Sequence, residues 1–219
     1  AFLKDSFQKL NEKSTPALVI DLRDNNGGTS QFAKALFAHL TDGPFKWLNG
    51  MKVKKYEYDF FRHTDLPPER RRMPRRFAQP NDDGWLDMTR HPNLGTQQPA
   101  SPGYSGQVYV LINGLTSSAA AQFVSIAHSR QRATLIGEEG DIDRFGTNAG
   151  WIPILILPNT RICVQVPVMR SWLAVSGDPT DRRILPDRQV RETVDDMLAI
   201  RDPAMKVALA IAAGKEKAD

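Results

Sequence analysis

"LINGLTSSAAAQFVSIAH" runs from Leu111 to His128 and joins apolar strand-forming residues to an alanine-rich helical pattern. Three hydroxyl side chains, Thr116, Ser117 and Ser118, stand at the joint. One hydroxyl is enough to cap the helix, because its oxygen accepts a hydrogen bond from an unpaired N–H of the first turn. The other role is chemical, since negative charge that develops here would be stabilised by the positive end of the helix dipole.

An earlier segment predicts the same local structure. Residues 17–22, ALVIDL, form a continuous apolar run typical of a buried parallel strand. An Asn-Asn-Gly-Gly turn follows, and residues 31–40 have the apolar spacing of a helix. Further strands are predicted over 53–60, 107–113, 133–139, 151–157, 161–167 and 171–175, with helices over 1–13 and from Pro203 onward. The sequence therefore predicts an α/β fold with repeated strand-turn-helix units and additional β-strands.

The composition is that of a globular domain. The chain has 219 residues, of which 41% are hydrophobic and 25% charged, and no apolar run approaches the roughly 20 residues that cross a bilayer. We therefore predict one domain over residues 1–219 and no transmembrane segment. The single cysteine, Cys163, excludes an intrachain disulfide, and its place in an alternating pattern predicts a small core residue.

Positive charge is concentrated in one segment. The net charge is +4, and residues 46–76 hold ten Lys or Arg against four Asp or Glu. This segment belongs to a basic, loop-rich insertion predicted at about 46–105, where Pro, Gly and Arg are frequent. A solvated basic loop is the simplest interpretation, although "ERRRMPRR" could also attract an anionic partner. Zinc-finger, helix-turn-helix and aromatic RNA-binding patterns are missing from the sequence, so no nucleic-acid partner is predicted.

The two strand-turn-helix units predict a shared site. Loops that follow parallel strands converge on one edge of the sheet, and NNGG and TSSA are both such loops. If their strands are neighbours, backbone N–H groups from both loops can surround one oxygen atom, as in an oxyanion hole. Each motif alone is more commonly a simple turn or a helix cap.

Together and in this order, the two motifs carry a family resemblance. "LVIDLRDNNGG" resembles the D-L-R-x-N-x-G-G signature of the C-terminal processing (tail-specific) serine proteases, and "VYVLINGLTSSAAAQF" resembles their nucleophile segment. "RATLIGEE", "NAG" and the closing "ILPD" segment follow in the same order. The similarity covers nearly the whole chain except roughly 46–104. It implies the Clp protease/crotonase-like fold.

The resemblance also implies residue roles. The nucleophile falls on Ser118, and the oxyanion donors fall on the backbone of Gly27 or Gly28 and of Ala119. The Ser/Lys branch of the family is excluded, because no lysine occurs from residue 56 to residue 205. The chain is closer to the tricorn-core-like branch, whose supporting acid corresponds to Asp181.

The general base of that branch is a histidine upstream of the D-L-R strand. No histidine precedes that strand here, so we expect the chain to be part of a longer protease whose upstream segment supplies the base. The four histidines present, His39, His63, His91 and His128, are poorer candidates because of their positions in the sequence. Glu138 and Glu139 follow a predicted strand and could also reach the site.

The implied function is that of a serine endopeptidase acting on polypeptides through an acyl-enzyme. The resemblance further implies no metal or organic cofactor and export to the periplasm or cell surface, and the oligomeric state is not predicted. The alternative is a non-catalytic lipid-, retinoid- or peptide-binding module of the same fold. A third possibility, crotonase-like acyl-CoA chemistry, explains the serines less well because it does not require a serine nucleophile.

Overall fold

The computed structural model describes residues 2–141, 143–178 and 180–215. The helices are α1 (Phe2–Glu12), α2 (Ser30–Ala38), α3 (Ser118–Ser129), α4 (Val194–Leu198) and α5 (Pro203–Ala212). The strands are β1 (Ala17–Asp21), β2 (Phe45–Lys46), β3 (Leu48–Val53), β4 (Ala78–Pro80), β5 (Leu86–Met88), β6 (Thr96–Gln97), β7 (Gln107–Ile112), β8 (Thr134–Gly137), β9 (Gly146–Thr147), β10 (Ile154–Ile156), β11 (Cys163–Gln165), β12 (Met169–Leu173) and β13 (Arg188–Gln189).

A parallel sheet organises the fold, with strand order β1-β7-β8-β13. Strand β1 lies beside β7, with Val19 opposite Tyr109, and β7 lies beside β8, with Val110 opposite Leu135. Helix α2 follows β1 and helix α3 follows β7. The predicted α/β fold with repeated strand-turn-helix units is therefore confirmed, and the two loops of interest lie at adjacent strand ends.

Helices cover both faces of this sheet. On one face, Val108 and Val110 of β7 pack in a cluster with Phe37 of α2 and Phe123 of α3. On the other face, the intervening residues of β7 pack against α5, for example Leu111 near Ala208. Because successive side chains of a strand point to opposite faces, a strand covered on both sides needs a continuous apolar run. This explains why residues 108–112 are apolar throughout.

A second sheet, with strand order β4-β5-β3-β12-β9, is antiparallel. Residues 46–105, predicted as a loop-rich insertion, supply three of its strands, and 3-10 helices lie at Asp59–His63, Pro68–Arg70 and Arg75–Phe77. The predicted strand over 53–60 was wrong. Strand β3 ends at Val53, and the aromatic residues that follow pack together, with Phe61 also 5.2 Å from Trp151 between ring centroids.

Strands β10 and β11 form a two-stranded antiparallel hairpin. All three residues of β11 are exposed, including Cys163, so the prediction of Cys163 as a core residue was wrong. Alternating apolar residues are buried only where a second layer covers one face of the strand. Within the described residues, no helix combines the length and the apolar character needed to span a bilayer.

Candidate active site

Ser118 lies at the joint between β7 and α3 in an unusual backbone conformation. Its φ is 50°, in the left-handed region that residues with a side chain rarely adopt. Such a conformation persists only where surrounding contacts impose it, and it is concentrated at functional sites. A strained strand-to-helix turn is also the device by which other hydrolase folds expose a nucleophilic serine.

The hydroxyls at the joint do not act as helix caps. Ser117 stands at the N-cap position, yet its side chain accepts no capping hydrogen bond. Thr116 is buried, its Oγ1 accepts a hydrogen bond from the Asn113 N–H at 3.0 Å, and it donates to the Leu22 carbonyl at 2.8 Å. Thr116 therefore ties the end of β7 to the end of β1. Ser118 Oγ makes no hydrogen bond with any described residue.

The glycine loop is fastened to the serine loop by several hydrogen bonds. The Asp24 N–H donates to Asn113 Oδ1 at 3.0 Å, and Asn113 Nδ2 returns a bond to Asp24 Oδ1 at 2.9 Å. The Ser117 N–H donates to the Asn25 carbonyl at 3.0 Å. The two loops that the sequence predicts to converge are thus held in contact.

Gly27 lies directly against the predicted nucleophile. A Cβ atom at this position would lie 2.6 Å from Ser118 Cβ and 2.6 Å from the Ala119 nitrogen. Its φ is 89°, which side chains also disfavour. Only glycine therefore allows the first loop to approach the second this closely.

Two backbone N–H groups remain available at the convergence of the loops. The Gly27 N–H is occupied, because it donates to Asn25 Oδ1 at 2.9 Å. The N–H groups of Gly28 and Ala119 have no acceptor within the described part of the chain, and both residues line one apolar cavity. This arrangement selects Gly28 and Ala119, rather than Gly27, as candidate oxyanion donors.

Arg23 of the signature has a structural role next to this site. Its guanidinium lies 2.6 Å from an oxygen of Asp21 and 2.7 Å from one of Asp202. The hydrogen bond from Arg23 lowers the pKa of Asp21 and also that of Asp202, and it is the largest influence on each. Since Asp202 also caps α5 by accepting from the Met205 N–H, Arg23 links the end of β1 to the last helix.

Two cavities flank the site. The first, of about 550 Å³, is mainly apolar and lies between α1, α2 and α3, with Phe32 and Phe123 among its walls. The second, of about 310 Å³, is lined about equally by polar and apolar atoms and contains Ser118, His91 and Asn93. Gly28 and Thr29 line both cavities, so they lie between an apolar pocket and one of mixed polarity.

The sequence predicts His91 only as part of a variable loop, whereas in the structure His91 lines the same cavity as Ser118. Its Nδ1 accepts a hydrogen bond from the Asn93 N–H at 3.2 Å. Burial lowers the pKa of His91, and the positive charge of Lys34 lowers it further. No local sequence signal indicates this position, because it depends on the loop packing against β3, where the Leu48 N–H donates to the Asn93 carbonyl.

The other histidines have partners away from Ser118. His39 is buried, stacks on Phe7 at 4.6 Å between ring centroids, and hydrogen-bonds the Pro102 carbonyl at 2.7 Å. The His128 ring lies 2.9 Å from a carboxylate oxygen of Asp187. His63 accepts from the Arg62 guanidinium. No described histidine or lysine forms a hydrogen bond with Ser118.

The predicted acidic residues lie outside the pocket. Asp181 accepts a hydrogen bond from Arg183 at 3.1 Å and lines neither cavity. Glu138 and Glu139 follow β8, and neither side chain lines the cavities. Of the predicted site residues, the structure thus brings together Ser118, Ala119 and the glycine loop, and it leaves Asp181 apart.

Comparison with known structures agrees with this fold. A structure of a CPAF mutant matches with a TM-score of 0.67 at 15% identity, over 98% of this chain and 47% of that chain. A protein from Parabacteroides merdae matches with a TM-score of 0.59 at 18% identity, over 99% and 58%. A photosystem II D1 C-terminal processing protease matches with a TM-score of 0.51 at 17% identity, over 86% and 38%. The chain therefore spans about half the length of these proteins.

No curated protein sequence matches the chain. The model of peptidase family S41, however, matches residues 1–190. That match covers both strand-turn-helix units and the whole of the convergent site. The chain belongs to peptidase family S41.

Proposed function

We propose that the complete protein is a serine peptidase that cleaves polypeptides through an acyl-enzyme on Ser118. The observation that carries the proposal is the left-handed backbone of Ser118, pressed against Gly27 at the meeting point of the two loops. Non-glycine residues in this conformation are strained and are concentrated at functional sites. Family membership supports the same reaction.

In the proposed reaction, Ser118 Oγ attacks the carbonyl carbon of the scissile peptide bond. The N–H groups of Gly28 and Ala119 stabilise the negative charge that develops on the carbonyl oxygen, each donor contributing about 3–4 kcal/mol. A general base takes the proton from Ser118 and passes it to the leaving amine. Water then hydrolyses the acyl ester by the reverse sequence of proton transfers.

The base in this proposal is a histidine outside residues 1–219. The resemblance assigns its supporting acid to Asp181, which would have to exchange its hydrogen bond with Arg183 for one with that histidine. Two observations support an external base. Ser118 Oγ lacks a partner among the described residues, and His91 Nδ1 already accepts the Asn93 N–H. The length of the matched structures, about twice that of this chain, leaves room for such a segment.

One observation favours a second candidate, a binding module of the same fold. The unpartnered Ser118 hydroxyl, beside an apolar cavity of about 550 Å³, also suits a protein that holds an apolar ligand without reacting with it. This alternative predicts a serine of ordinary reactivity in the full-length protein.

Reaction with a fluorophosphonate, followed by intact-mass measurement, tests the proposal in the full-length protein. We expect one adduct in the wild type, none in Ser118→Ala, and an unchanged adduct in the matched control Ser117→Ala. Loss of the adduct in Ser118→Ala together with loss of peptide hydrolysis would support the peptidase. Peptide hydrolysis that survives Ser118→Ala would refute it.

Export to the periplasm or cell surface is part of the same proposal and rests on the family resemblance alone. Fractionation of cells that express the full-length protein tests it. Recovery of the protein with the cytoplasmic fraction would contradict export and would leave the proposed chemistry untouched.

A further inference from the structure

We infer that the smaller cavity, which contains Ser118, is a specificity pocket for an uncharged carboxamide side chain, Gln or Asn, next to the scissile bond. The inference rests on the proposed function in one respect, that the bond next to the pocket is the one cleaved. The pocket itself is defined by the residues that line it. Ser118 and Gly28 contribute to those walls, so a peptide held by the reacting groups passes the opening of the cavity. With about 310 Å³, the cavity has room for one side chain.

Asn93 is the first observation that points to a ligand. The residue is only 4% exposed, and its Oδ1 is buried with no hydrogen-bond partner in the described part of the protein. Both of its backbone groups are anchored, since the N–H donates to His91 Nδ1 and the carbonyl accepts from the Leu48 N–H. Buried carboxamides without partners are rare in folded proteins. A ligand that hydrogen-bonds Asn93 would remove this deficit.

Gln122 supplies a second amide with a fixed orientation. It is 6% exposed and lines the same cavity. Its Oε1 accepts a hydrogen bond from the Trp47 indole N–H at 3.2 Å. The amide NH₂ is therefore the end left without a partner among the described residues, and it offers a donor to a guest in the cavity.

His91 adds a further donor. Its Nδ1 is already an acceptor, so in the neutral ring the proton is on Nε2. Burial and the nearby Lys34 both lower the pKa of His91 and thereby favour this neutral form. Lys34 itself donates to the Pro92 carbonyl at 2.6 Å and does not line the cavity.

The walls discriminate among the classes of side chain. Among the described residues, no Asp, Glu, Lys or Arg lines the cavity, so a charged guest would lose its water without gaining a counter-charge from them. An apolar guest would leave the amides of Asn93 and Gln122 unpaired. A carboxamide both donates and accepts, and its methylene groups can contact Leu48 and Met51, which also line the cavity.

Binding to full-length Ser118→Ala protein tests the pocket without requiring catalysis. The probes are alanine-based octapeptides with terminal lysines, in which one Gln or the similarly shaped Met occupies each position in turn. At one position we expect the Gln peptide to bind at least about tenfold more tightly than the Met peptide, because a site built for hydrogen bonds rejects guests that lack them. Calorimetric titration measures both dissociation constants.

Asn93→Leu, introduced beside Ser118→Ala, should reduce the preference for Gln to less than about twofold, while the matched surface control Asn49→Leu retains it. Thermal unfolding checks that each variant is folded. If Asn93→Leu fails to fold, the comparison of the Gln and Met peptides in the unmodified pocket still tests the inference. Equal affinities of the two peptides, binding of neither, or a preference that survives in folded Asn93→Leu would overturn the inference.

Cleavage of the same peptides by the wild-type full-length protein separates the two proposals. We expect kcat/KM to favour the Gln peptide by about the same factor as binding does. If Ser118→Ala binds the Gln peptide selectively but the wild type cleaves nothing, the proposed function fails and the pocket stands. If the wild type cleaves Gln and Met peptides equally in a Ser118-dependent reaction, the function stands and the pocket fails.

Discussion

The two strand-turn-helix units have the same connectivity, but different residue types adopt positive φ in their turns. In the first unit, the turn after β1 contains Gly27 and Gly28, both at positive φ, where glycine is unstrained. In the second unit, the turn after β7 also reaches positive φ, but there the residue is Ser118. The first turn also holds Asp24 at a φ of 59°, but the Asp24 side chain accepts a hydrogen bond from Asn113, whereas the Ser118 hydroxyl makes no hydrogen bond with a described residue.

The helices that follow show the same contrast. Helix α3 is buried along most of its length, from Ala119 to Ala127. Helix α2 is more open, with Phe32 75% exposed beside the apolar cavity. A buried helix holds the strained serine rigidly, whereas the first unit supplies backbone N–H groups and cavity walls. Substitutions in the two turns test whether the two units differ in this way.

Gly27→Ala should have the largest effect. The added Cβ would lie 2.6 Å from the Ala119 nitrogen, which is backbone and cannot move aside cheaply. We expect a loss of about 3 kcal/mol or more in the free energy of unfolding, together with loss of reaction at Ser118. Urea unfolding measures the first effect and fluorophosphonate labelling the second.

Gly28→Ala is the matched control for that variant, because a Cβ there meets nothing within 4 Å although φ is also positive. It should cost less than Gly27→Ala by about 1–3 kcal/mol, the contribution of overpacking alone. Equal costs would show that backbone strain, and not contact between the two loops, requires the glycine.

Thr116→Val should have the next largest effect, a loss of about 2 kcal/mol in the free energy of unfolding. The substitution keeps the shape but leaves the Asn113 N–H without its buried acceptor, and the Leu22 carbonyl keeps only the Asn25 N–H as a donor. Ser117→Ala should change stability by less than about 0.5 kcal/mol, since no cap is lost. Urea unfolding of both variants provides the comparison, and a larger cost for Ser117→Ala would reverse the roles assigned to the two hydroxyls.

Ser118→Gly should be more stable than Ser118→Ala by about 1 kcal/mol, because glycine tolerates a left-handed backbone at little cost. Both variants remove the Ser118 hydroxyl, so the difference measures strain alone. Thermal or urea unfolding of this pair is sufficient. If Ser118→Gly were the less stable of the two, the strain assigned to the serine would not exist.

Arg23→Gln should cost only about 1 kcal/mol in the free energy of unfolding at pH 7, because the ion pairs are partly exposed. Arg23 lowers the pKa of Asp21 and of Asp202 in the folded protein. Their stabilisation is therefore present at neutral pH and is lost as the pH falls through these lowered values, below about 4. Urea unfolding at pH 7 and pH 3 should show the difference between wild type and variant shrinking at pH 3. A difference of equal size at both pH values would contradict the ionic role.

The sequence predicts the local parts of this molecule better than the long-range ones. The apolar run over 107–113 predicts a buried strand, and β7 is buried because both faces of the sheet are covered. The run over 17–22 also predicts a strand, but β1 lies at the edge of the sheet and its apolar residues are only half-buried. The short strands β4 and β5, between residues 78 and 88, carry no such signal. They form by pairing within the second sheet, β4 with β5 and β5 with β3, and of these three strands only β3 pairs with β12.

The same limit applies to the site. Ser118 and the glycines stand in recognisable motifs, whereas His91 and Asn93 reach the pocket through packing that no local pattern encodes. Cys163 illustrates the opposite error, since its alternating pattern is that of a half-buried strand but the hairpin has no layer to cover it. Sequence periodicity indicates what a strand could bury and not whether anything lies above it.

The hydrogen bonds that hold the two loops together also determine when the site can form during synthesis of the chain. Asp24 and Asn113, which hold the loops together, are 89 residues apart in the chain. Loop closure over such a distance is costly and must precede the contacts that reward it. A ribosome-bound chain that has emerged only as far as the first unit has neither the nucleophile nor the neighbouring strand. The proposed hydrolytic centre would therefore form late, after most of the domain has been synthesised, and a partly made chain would be unable to damage its neighbours.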